Sequence, residues 1–351
     1  MSVRALARQL DLSPTAVSLA LRGSPRISAA VRAKVRRAAR AAGHVPNARL
    51  SELMREVRES GRPGYRGTLG LMSLFPEEEP WWQRPGYGHL AEILAGAQAR
   101  AAEHGYKFEN LWLKGPGMTA RRLAGIMEAR GIRGVLCLGS LDPEEPFPAA
   151  LRRFAVVTQG ASIPEPMHRV VSHFVADSRR LLTELVRRGY QRPGLVILIS
   201  GDRRTDYLYT ATLLSYYERM PGLAPVPVLR AEHWDEAEFA GWLAAHRPDA
   251  VVLHQSDTYV AEVERYLARR RVRIPRDLGL ALLDKNPNPE RFAGVCQDPR
   301  RIGASAAELL LSRIAMGDFA WPTHPITELV LGRWNEARSL RAAARTTLAP
   351  A

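Results

Sequence analysis

From Gly67 onward, short apolar runs alternate with longer segments of helical character. Parallel strands buried on both faces give such continuous apolar runs, and each needs a helical crossover to reach the next strand. The pattern therefore predicts an α/β fold, with too many units for one small sheet and hence two lobes. The expected strands are GTLGLMSLF, YKFENLWL, GVLCLG, FAVVTQG, GLVILIS, DAVVLHQS and LGLALLD. The expected helices are His89–His104, Thr119–Arg130, Ser178–Arg188, Tyr207–Arg219, Glu236–His246 and Tyr259–Arg271.

The first 50 residues differ from this body in their charge. They contain ten arginine or lysine residues and one acid, Asp11, hence +9 of the chain's net +14. A basic head on a nearly balanced body favours a polyanionic partner such as nucleic acid. The alternative is an arginine-rich surface that is merely solvated.

Three short helices are predicted in this basic head. The first covers residues 2–10, and the second starts with Ser13 as N-cap and Pro14 at the first helical position. The second helix ends at Gly23, and a third lies between Ser28 and Gly43. Three short helices with a tight turn between the first two are typical of a helix-turn-helix DNA-binding domain.

Other classes of protein find little support in the sequence. No apolar run approaches the ~20 residues that a membrane span requires, and no secretion signal is visible, so we expect a cytoplasmic protein without membrane partners. Cys137 and Cys296 lie in apolar settings typical of buried thiols, although a disulfide between them stays open. The nine histidines lack metal-ligand spacing and no catalytic motif is present. We therefore expect no enzyme, metal or cofactor.

The head reads VRALARQLDLSPTAVSLALRGSPRISAAVRAKVRRAARAAGHVPN, and the body contains VRRGYQRPGLVIL, RVRIPRDLGLALLD and VCQDPRRIGASAAELLLSRI in that order. Together these segments resemble the LacI family of transcriptional regulators over nearly the whole chain. The resemblance implies an N-terminal all-α helix-turn-helix domain and a periplasmic-binding-protein-like α/β core of two Rossmann-like lobes. It also implies a homodimer that reads a palindromic double-stranded DNA operator.

The same resemblance divides the chain into domains. The head would cover 1–46, the hinge helix and linker 47–65, the effector-binding core 66–340 and the tail 341–351. Within the core, the N-lobe is expected at about 66–160 and 298–323, and the C-lobe at about 161–297 and 324–340.

For the head, the resemblance implies that Pro14 and Thr15 occupy the leading base-reading positions of the recognition helix. Leu19 stands where many relatives place arginine, so the bidentate contact of arginine with guanine is absent. Phosphate contacts, which position the protein without specifying sequence, are expected from Ser13, Ser18, Arg22 and Arg26.

For the hinge, the resemblance implies a helix in the minor groove, with Asn47, Ala48 and Arg49 at the groove. Leu53 matches the leucine that wedges into the central base step and bends the duplex. The alternative is that Leu53 is an ordinary interface leucine. Nearby acids, at Glu52, Glu56 and Glu59, depart from the family and disfavour close approach to phosphates.

For the core, motif matches imply an effector cleft at the carboxyl ends of the strands. Arg204, Asp284 and Gln297 fall at family pocket positions, as does Ser256, which replaces a frequent asparagine. Tyr207 stands where a glycine is usual. Trp81 and Trp82, in the loop FPEEEPWWQRPGYGHL, could stack on a sugar or simply cover the cleft. A carboxylate, an arginine and amides beside an aromatic wall favour a polyhydroxyl, carbohydrate-like effector.

The sequence thus predicts a ligand-responsive transcriptional regulator, most consistent with a repressor. Two alternatives remain open. One is a constitutive DNA-binding regulator whose core has lost its ligand response, since positions 207 and 256 depart from the family. The other is an enzyme with a fused DNA-binding head, which would keep its activity without residues 1–60.

Overall fold

A computed structural model describes residues 3–13, 16–17, 20, 27–41, 65–74, 88–140, 145–254, 256–284, 288–319 and 321–343. The chain divides into two compact units, residues 1–64 and 65–351. This division lies next to the end of the linker expected at 47–65.

The N-terminal unit contains α1 (Val3–Leu10) and α2 (Ala29–Ala41). Helical backbone also occurs between them, at Ala16, Val17 and Ala20. The hydroxyl of Ser13 accepts a hydrogen bond from the amide of Ala16 at 3.1 Å, as expected of an N-cap. A small apolar core joins the three segments through the buried side chains of Ala7, Val17, Ala20, Val35 and Ala39.

The larger unit is built from strands and helices that alternate along the chain. The strands are β1 (Gly67–Ser73), β2 (Tyr106–Trp112), β3 (Gly134–Cys137), β4 (Ala155–Gln159), β5 (His168–Ser172), β6 (Pro193–Leu198), β7 (Leu229–Ala231), β8 (Ala250–His254), β9 (Gly279–Asp284), β10 (Ala293–Cys296), β11 (Thr327–Val330) and β12 (Arg333–Asn335). The helices are α3 (Gly88–Glu103), α4 (Ala120–Ala129), α5 (Phe174–Arg187), α6 (Ile199–Arg204), α7 (Leu208–Arg219), α8 (Glu236–His246), α9 (Ser256–Arg269) and α10 (Pro299–Met316).

These strands form two six-stranded sheets, ordered β11-β5-β4-β3-β1-β2 and β12-β10-β9-β8-β6-β7. Neighbouring strands are parallel in both sheets except for β10 and β12, which are antiparallel. Each sheet is covered by helices, so the central strands are buried on both faces and read as uninterrupted apolar runs. The two-lobed α/β core predicted from the sequence is confirmed.

The expected boundaries between the lobes are wrong in detail. Residues 161–172 and 324–330 were assigned to the C-lobe, yet β5 and β11 are strands of the first sheet. The reason is hydrogen bonding: β5 pairs with both β4 and β11, which holds these segments in the N-lobe. The chain therefore crosses between lobes three times, after β5, after β10 and after β11.

The last long helix returns to the first lobe and packs closely on α3. A Cβ atom at Gly96 would lie 2.0 Å from the carbonyl oxygen of Arg300, and one at Gly303 would lie 1.8 Å from that of Ile93. Only glycine permits this close approach of the two helix backbones. The contact fixes the residues that precede α10 at the edge of the space between the lobes.

Candidate ligand-binding cleft

A cleft lies where the carboxyl ends of the strands of the two lobes face each other. Both sheets contribute residues to it, as expected for ligand sites of open α/β folds. From the second lobe and its crossovers it is lined by Phe174, Gly201, Arg204, Thr205, Tyr209, His254, Asp284 and Gln297. From the first lobe it is lined by His89, Leu90, Leu138, Ser140, Gln159, Gly160, Ala161, Ser162 and Ser172.

Tyr209 is the centre of the second-lobe wall. Its hydroxyl accepts a hydrogen bond from Nε2 of Gln297 at 3.0 Å. Its ring packs edge-on to Phe174, with centroids 5.2 Å apart, and against the imidazole of His254, with centroids 4.4 Å apart. These contacts fix an aromatic surface of the kind that packs on the apolar face of a ring-shaped ligand.

The hydroxyl of Tyr209 keeps its proton. Burial, together with the negative charges of Asp284 and Asp177, raises the pKa of Tyr209 well above its ordinary value. A neutral phenol has one donor hydrogen, and among the described residues no acceptor takes it. The cleft therefore contains a hydroxyl donor held in place by Gln297.

Asp284 is held by its neighbours on two sides. Its Oδ2 lies 3.5 Å from Nε2 of His254, an imidazole that is only 2% exposed. Its carbonyl accepts from the amide of Gln297 at 3.0 Å. The backbone of Asp284 has φ of 97°, a strained conformation for a residue with a side chain. Strain of this kind is typical of functional sites, where surrounding contacts fix a side chain in position.

Arg204 is placed in the cleft by α6 and by a buried anchor within that helix. Asp202 is fully buried; its Oδ2 accepts a hydrogen bond from the hydroxyl of Thr210 at 2.8 Å and forms an ion pair with Nε of Arg230 at 3.1 Å. These bonds tie α6 to α7 and to β7. The short helix therefore presents Arg204 from a fixed base rather than from a free loop.

The turn between α6 and α7 explains one departure from the family pattern. Asp206 and Tyr207 have φ of 53° and 57°, the left-handed region that favours glycine. Tyr207 stands at the position where the family resemblance implies glycine, and its ring centroid lies 5.4 Å from the guanidinium of Arg230. Tyr207 therefore bears backbone strain that a glycine would avoid.

The first-lobe wall is made of small and hydroxyl-bearing residues. The amide of Ser140 donates to the hydroxyl of Ser162 at 3.1 Å, and the hydroxyl of Ser140 donates to Oε2 of Glu145, also at 3.1 Å. Gly160, at the end of β4, has φ of 82°. This wall offers hydroxyls and backbone groups rather than charges.

The three crossovers between the lobes meet at Gly332. The amide of Gly332, between β11 and β12, donates to Oδ1 of Asp177 in α5 at 2.9 Å. A Cβ atom at Gly332 would lie 2.7 Å from Cγ1 of Val295 and 3.0 Å from the carbonyl oxygen of Cys296. Burial raises the pKa of Asp177, an effect that the bond from Gly332 opposes. The hinge is thus tightly packed around one buried carboxyl group.

Three residues predicted from the sequence, Arg204, Asp284 and Gln297, line the same cleft. Ser256 begins α9, but its side chain lies outside the described part of the chain. Among the predicted DNA-contacting residues, Ser13 is described. The remaining predicted site residues lie outside the described residues and stay predictions: Pro14, Thr15, Ser18, Leu19, Arg22, Arg26, Asn47, Ala48, Arg49, Leu53, Trp81 and Trp82.

Phe174, Tyr209 and His254 also line the cleft but were not predicted from the sequence. For His254, the sequence does contain an indication. His254 ends the apolar run AVVLH, and a polar residue at the carboxyl end of a parallel strand faces the cleft. Ser172 at the end of β5 obeys the same rule. Tyr209 and Phe174 lie in the first turns of helices, where an aromatic residue looks like an ordinary core residue.

Within the described residues, no group of three histidine, cysteine, aspartate or glutamate side chains is arranged to hold a metal ion. Cys137 and Cys296 lie in different sheets and form no disulfide with each other, and burial raises the pKa of Cys137 to about 12. No described helix is both long and apolar enough to cross a membrane.

Comparison with known proteins agrees with this architecture. Residues 182–333 match the periplasmic binding protein-like domain. Over 336 residues the chain is 25% identical to the HTH-type transcriptional regulator CelR of Thermobifida fusca, which covers 89% of this chain and 91% of the relative. This relative is a transcriptional regulator with a helix-turn-helix designation in its name.

Solved structures of the same kind extend over nearly the full chain. A transcriptional regulator CelR–cellobiose complex has a TM-score of 0.58 at 22% identity, covering 97% of this chain and 99% of its own. The Lac repressor dimer bound to operator and the anti-inducer ONPF also has a TM-score of 0.58, at 16% identity and with the same coverage. These similarities establish the fold of the two-lobed core.

Proposed function

We propose that the chain is a transcriptional regulator of the LacI family, a sequence-specific DNA-binding protein controlled by a small molecule, and its similarity to CelR and to the periplasmic binding protein-like domain supports this. The observation that carries the proposal is the convergence of Arg204, Asp284 and Gln297 on one cleft between the lobes. They were selected by family motifs alone, yet the fold places them around Tyr209 and His254. We propose that the protein acts as a repressor in the cytoplasm, as a homodimer on a palindromic operator.

The proposed effector is a polyhydroxyl compound of the carbohydrate class. Asp284 accepts hydrogen bonds from ligand hydroxyls, Arg204 donates to them, and the Tyr209 hydroxyl donates while its ring packs on the apolar face of a sugar. Cellobiose, the ligand in the related CelR complex, is the natural first probe. Trp81 and Trp82 are proposed to add stacking surface at the mouth of the cleft, and Ser256 a further hydroxyl.

The proposed DNA contacts come from the basic N-terminal unit. Pro14, Thr15 and Leu19 read base edges in the major groove, whereas Ser13, Ser18, Arg22 and Arg26 bind phosphates. Asn47, Ala48 and Arg49 lie at the minor groove, and Leu53 wedges into the central step. Two copies of this arrangement, related by a two-fold axis, read the two half-sites.

Coupling between effector and DNA would operate through the angle between the lobes. A ligand that contacts both walls of the cleft stabilises one lobe arrangement over another, and the three crossovers around Gly332 are the places where that angle can change. The ligand can shift this equilibrium only by its difference in affinity for the two arrangements. We propose that this shift orders or releases the hinge residues 47–65.

The DNA-binding half of the proposal is tested by selecting bound sequences from a random duplex pool with the full-length protein. A palindromic motif is expected. Recovery of general, salt-sensitive binding without a motif would contradict the proposal, because phosphate contacts alone do not specify sequence.

Two arginines provide a matched comparison in this assay. Arg22→Ala should weaken binding to all duplexes and reduce the slope of log affinity against log salt by about one, as loss of one phosphate contact does. Arg121→Ala, at an exposed position of α4 in the larger unit, should leave both the affinity and the salt slope unchanged. Equal behaviour of the two variants would remove Arg22 from the interface.

The ligand half is tested by thermal unfolding with a panel of mono- and disaccharides that includes cellobiose. A sugar that binds the folded protein raises its apparent stability with increasing concentration. If no sugar stabilises the protein while the palindromic motif is recovered, the chain is the constitutive regulator that the departures at positions 207 and 256 leave open.

A further inference from the structure

A second concavity adjoins the cleft at the first crossover, and Ala161, Ser172 and Phe174 line both. It is an open groove with a volume of about 740 Å³, within the range of small-molecule sites. The first lobe contributes Met167 and Leu329 to it, and the second lobe contributes Val175, Tyr207 and Leu208. The groove therefore touches both lobes, as the cleft does.

The apolar walls of this groove are unusually open to solvent. Val175, Tyr207 and Leu329 are 41%, 44% and 52% exposed, and all three line the same concavity. Exposed apolar side chains that occur singly need no explanation, whereas a group that lines one groove marks a binding surface.

Arg169 supplies the polar end of the groove. Its NH2 atom donates to the carbonyl oxygens of Ile163 and Glu165, at 3.1 and 2.7 Å. Within the described residues it makes no ion pair with a carboxylate, and its remaining N–H groups form no hydrogen bond. Burial lowers its pKa, and the negative charge of Asp206 only partly opposes this effect. The result is a fixed guanidinium with donors left for an anion.

The charges around the groove limit what that anion can be. Arg169 and Arg203 line it together with one acid, Asp206, so the formal balance is one positive charge. A single carboxylate complements this balance, and a guanidinium fork suits its planar geometry. A doubly charged group such as a phosphate monoester would be disfavoured by the carboxylate of Asp206.

We propose that this groove is a second ligand site, which binds a small amphipathic monocarboxylate. The carboxylate bonds to Arg169, and an aromatic or aliphatic body packs on Met167, Val175, Tyr207 and Leu329. The groove shares Ala161, Ser172 and Phe174 with the cleft, but its ligand-binding groups are its own, because Arg169 and Leu329 do not line the cleft and Arg204 and Asp284 do not line the groove. The inference does not depend on the proposed regulatory function.

The test uses 2-naphthoate as the probe and its neutral analogue 2-naphthamide as the reference, each titrated calorimetrically into the full-length protein. The wild type should bind naphthoate at least about tenfold more tightly than the amide, since a charge-assisted bidentate pair contributes that much or more. Arg169→Gln should remove this preference while leaving the affinity for the amide unchanged. Equal affinities of the wild type for both compounds would overturn the proposal.

Because Arg169 also supports the loop at 163–165, a second variant avoids that loop. Leu329→Glu places a like charge on the rim and should weaken naphthoate binding by about tenfold. Leu214→Glu, at a leucine that is also 52% exposed but lies outside the groove, is the matched control and should bind as the wild type does. The cleft variant Asp284→Ala should also bind naphthoate normally. Loss of binding in Asp284→Ala but not in Leu329→Glu would place naphthoate in the cleft and refute the second site.

Discussion

The two lobes of the core share one strand order but not one chemistry. Reading outward from the crossover edge, the first sheet runs β11-β5-β4-β3-β1-β2 and the second runs β12-β10-β9-β8-β6-β7, so each of β1–β5 corresponds to the strand five places later in the chain. The remaining pair, at the crossover edge, differs in direction: β11 is parallel to β5, whereas β12 is antiparallel to β10. The two lobes therefore share one sheet topology and differ in the direction of the edge strand nearest the crossovers.

The difference in chemistry is concentrated at the cleft. The second lobe contributes the charged and aromatic groups, Arg204, Tyr209, His254 and Asp284, whereas the first lobe contributes mainly small and hydroxyl-bearing residues. The buried core of the second lobe is also richer in aromatic residues. We infer that the second lobe supplies most of the binding free energy, and that the first lobe closes over a ligand already held.

The largest expected effect compares one residue from each wall. Asp284→Ala should weaken binding of the sugar that stabilises the wild type by about 100-fold, because hydrogen bonds to a charged group are the strong ones and His254 loses its partner. Ser140→Ala, on the first-lobe wall, should weaken it by no more than about threefold. Calorimetric titration measures both, and equal losses would refute the division of labour between the lobes.

His254 is expected to matter through Asp284 rather than through direct contact. His254→Phe keeps a ring against Tyr209 but removes the imidazole beside the carboxylate, and should weaken sugar binding by about tenfold. His246→Phe, at the end of α8 and outside the cleft, is the control and should bind the sugar as the wild type does. An unchanged affinity in His254→Phe would exclude this positioning role.

Backbone strain provides a third comparison between the lobes. Tyr207 in the second lobe and Gly160 in the first lobe both have positive, left-handed φ, but glycine adopts this conformation without strain whereas tyrosine does not. Tyr207→Gly should increase the free energy of unfolding by about 1 kcal/mol, and Gly160→Ala should decrease it by about 1 kcal/mol. A Cβ at Gly160 meets no atom within 4 Å, so that change reports backbone strain alone. Urea denaturation measures both, and a destabilised Tyr207→Gly would show that the ring contact with Arg230 outweighs the strain.

The smallest expected effect concerns the hinge carboxyl group that joins the lobes. Because burial raises the pKa of Asp177, the folded state holds its proton more tightly than the unfolded state does. This group's contribution to stability therefore falls as pH rises from the ordinary aspartate value through the raised one, and stays low above it. In the wild type this effect lowers the free energy of unfolding between pH 4 and pH 7. Asp177→Asn has no titrating carboxyl group at this position, so this part of the decrease should be absent. A pH profile identical to that of the wild type would contradict this account.

Most strands predicted from sequence are uniformly apolar runs buried on both faces, such as Ala250–His254. The helix predicted at Glu236–His246 has these bounds in the structure, where Asp235 caps its N-terminus. The strands absent from the prediction are short, and the edge strand Thr327–Val330 also alternates exposed with half-buried residues, so it lacks an apolar run. Because β5 and β11 were not predicted as strands, the segments that contain them were placed in the wrong lobe.

The cleft could be predicted only where a motif or a strand end pointed to it. Asp284 ends the predicted strand LGLALLD, whereas Gln297 was indicated only by the family motif VCQDP; both line the cleft. The partnership of Asp284 with His254 depends on the neighbouring positions of β8 and β9 in the sheet, which no local pattern encodes. The groove at Arg169 has no sequence signal, because its walls come from segments more than 150 residues apart.

The central claim is that occupation of the cleft controls DNA binding. The most direct measurement is the fluorescence anisotropy of a labelled duplex carrying the selected palindromic motif, titrated with the full-length protein with and without the stabilising sugar. We predict that the sugar changes the dissociation constant by about 5- to 150-fold, the usual range of allosteric coupling, and that Asp284→Ala abolishes this change while keeping the operator affinity of the free protein. An identical dissociation constant with and without saturating sugar would contradict the claim.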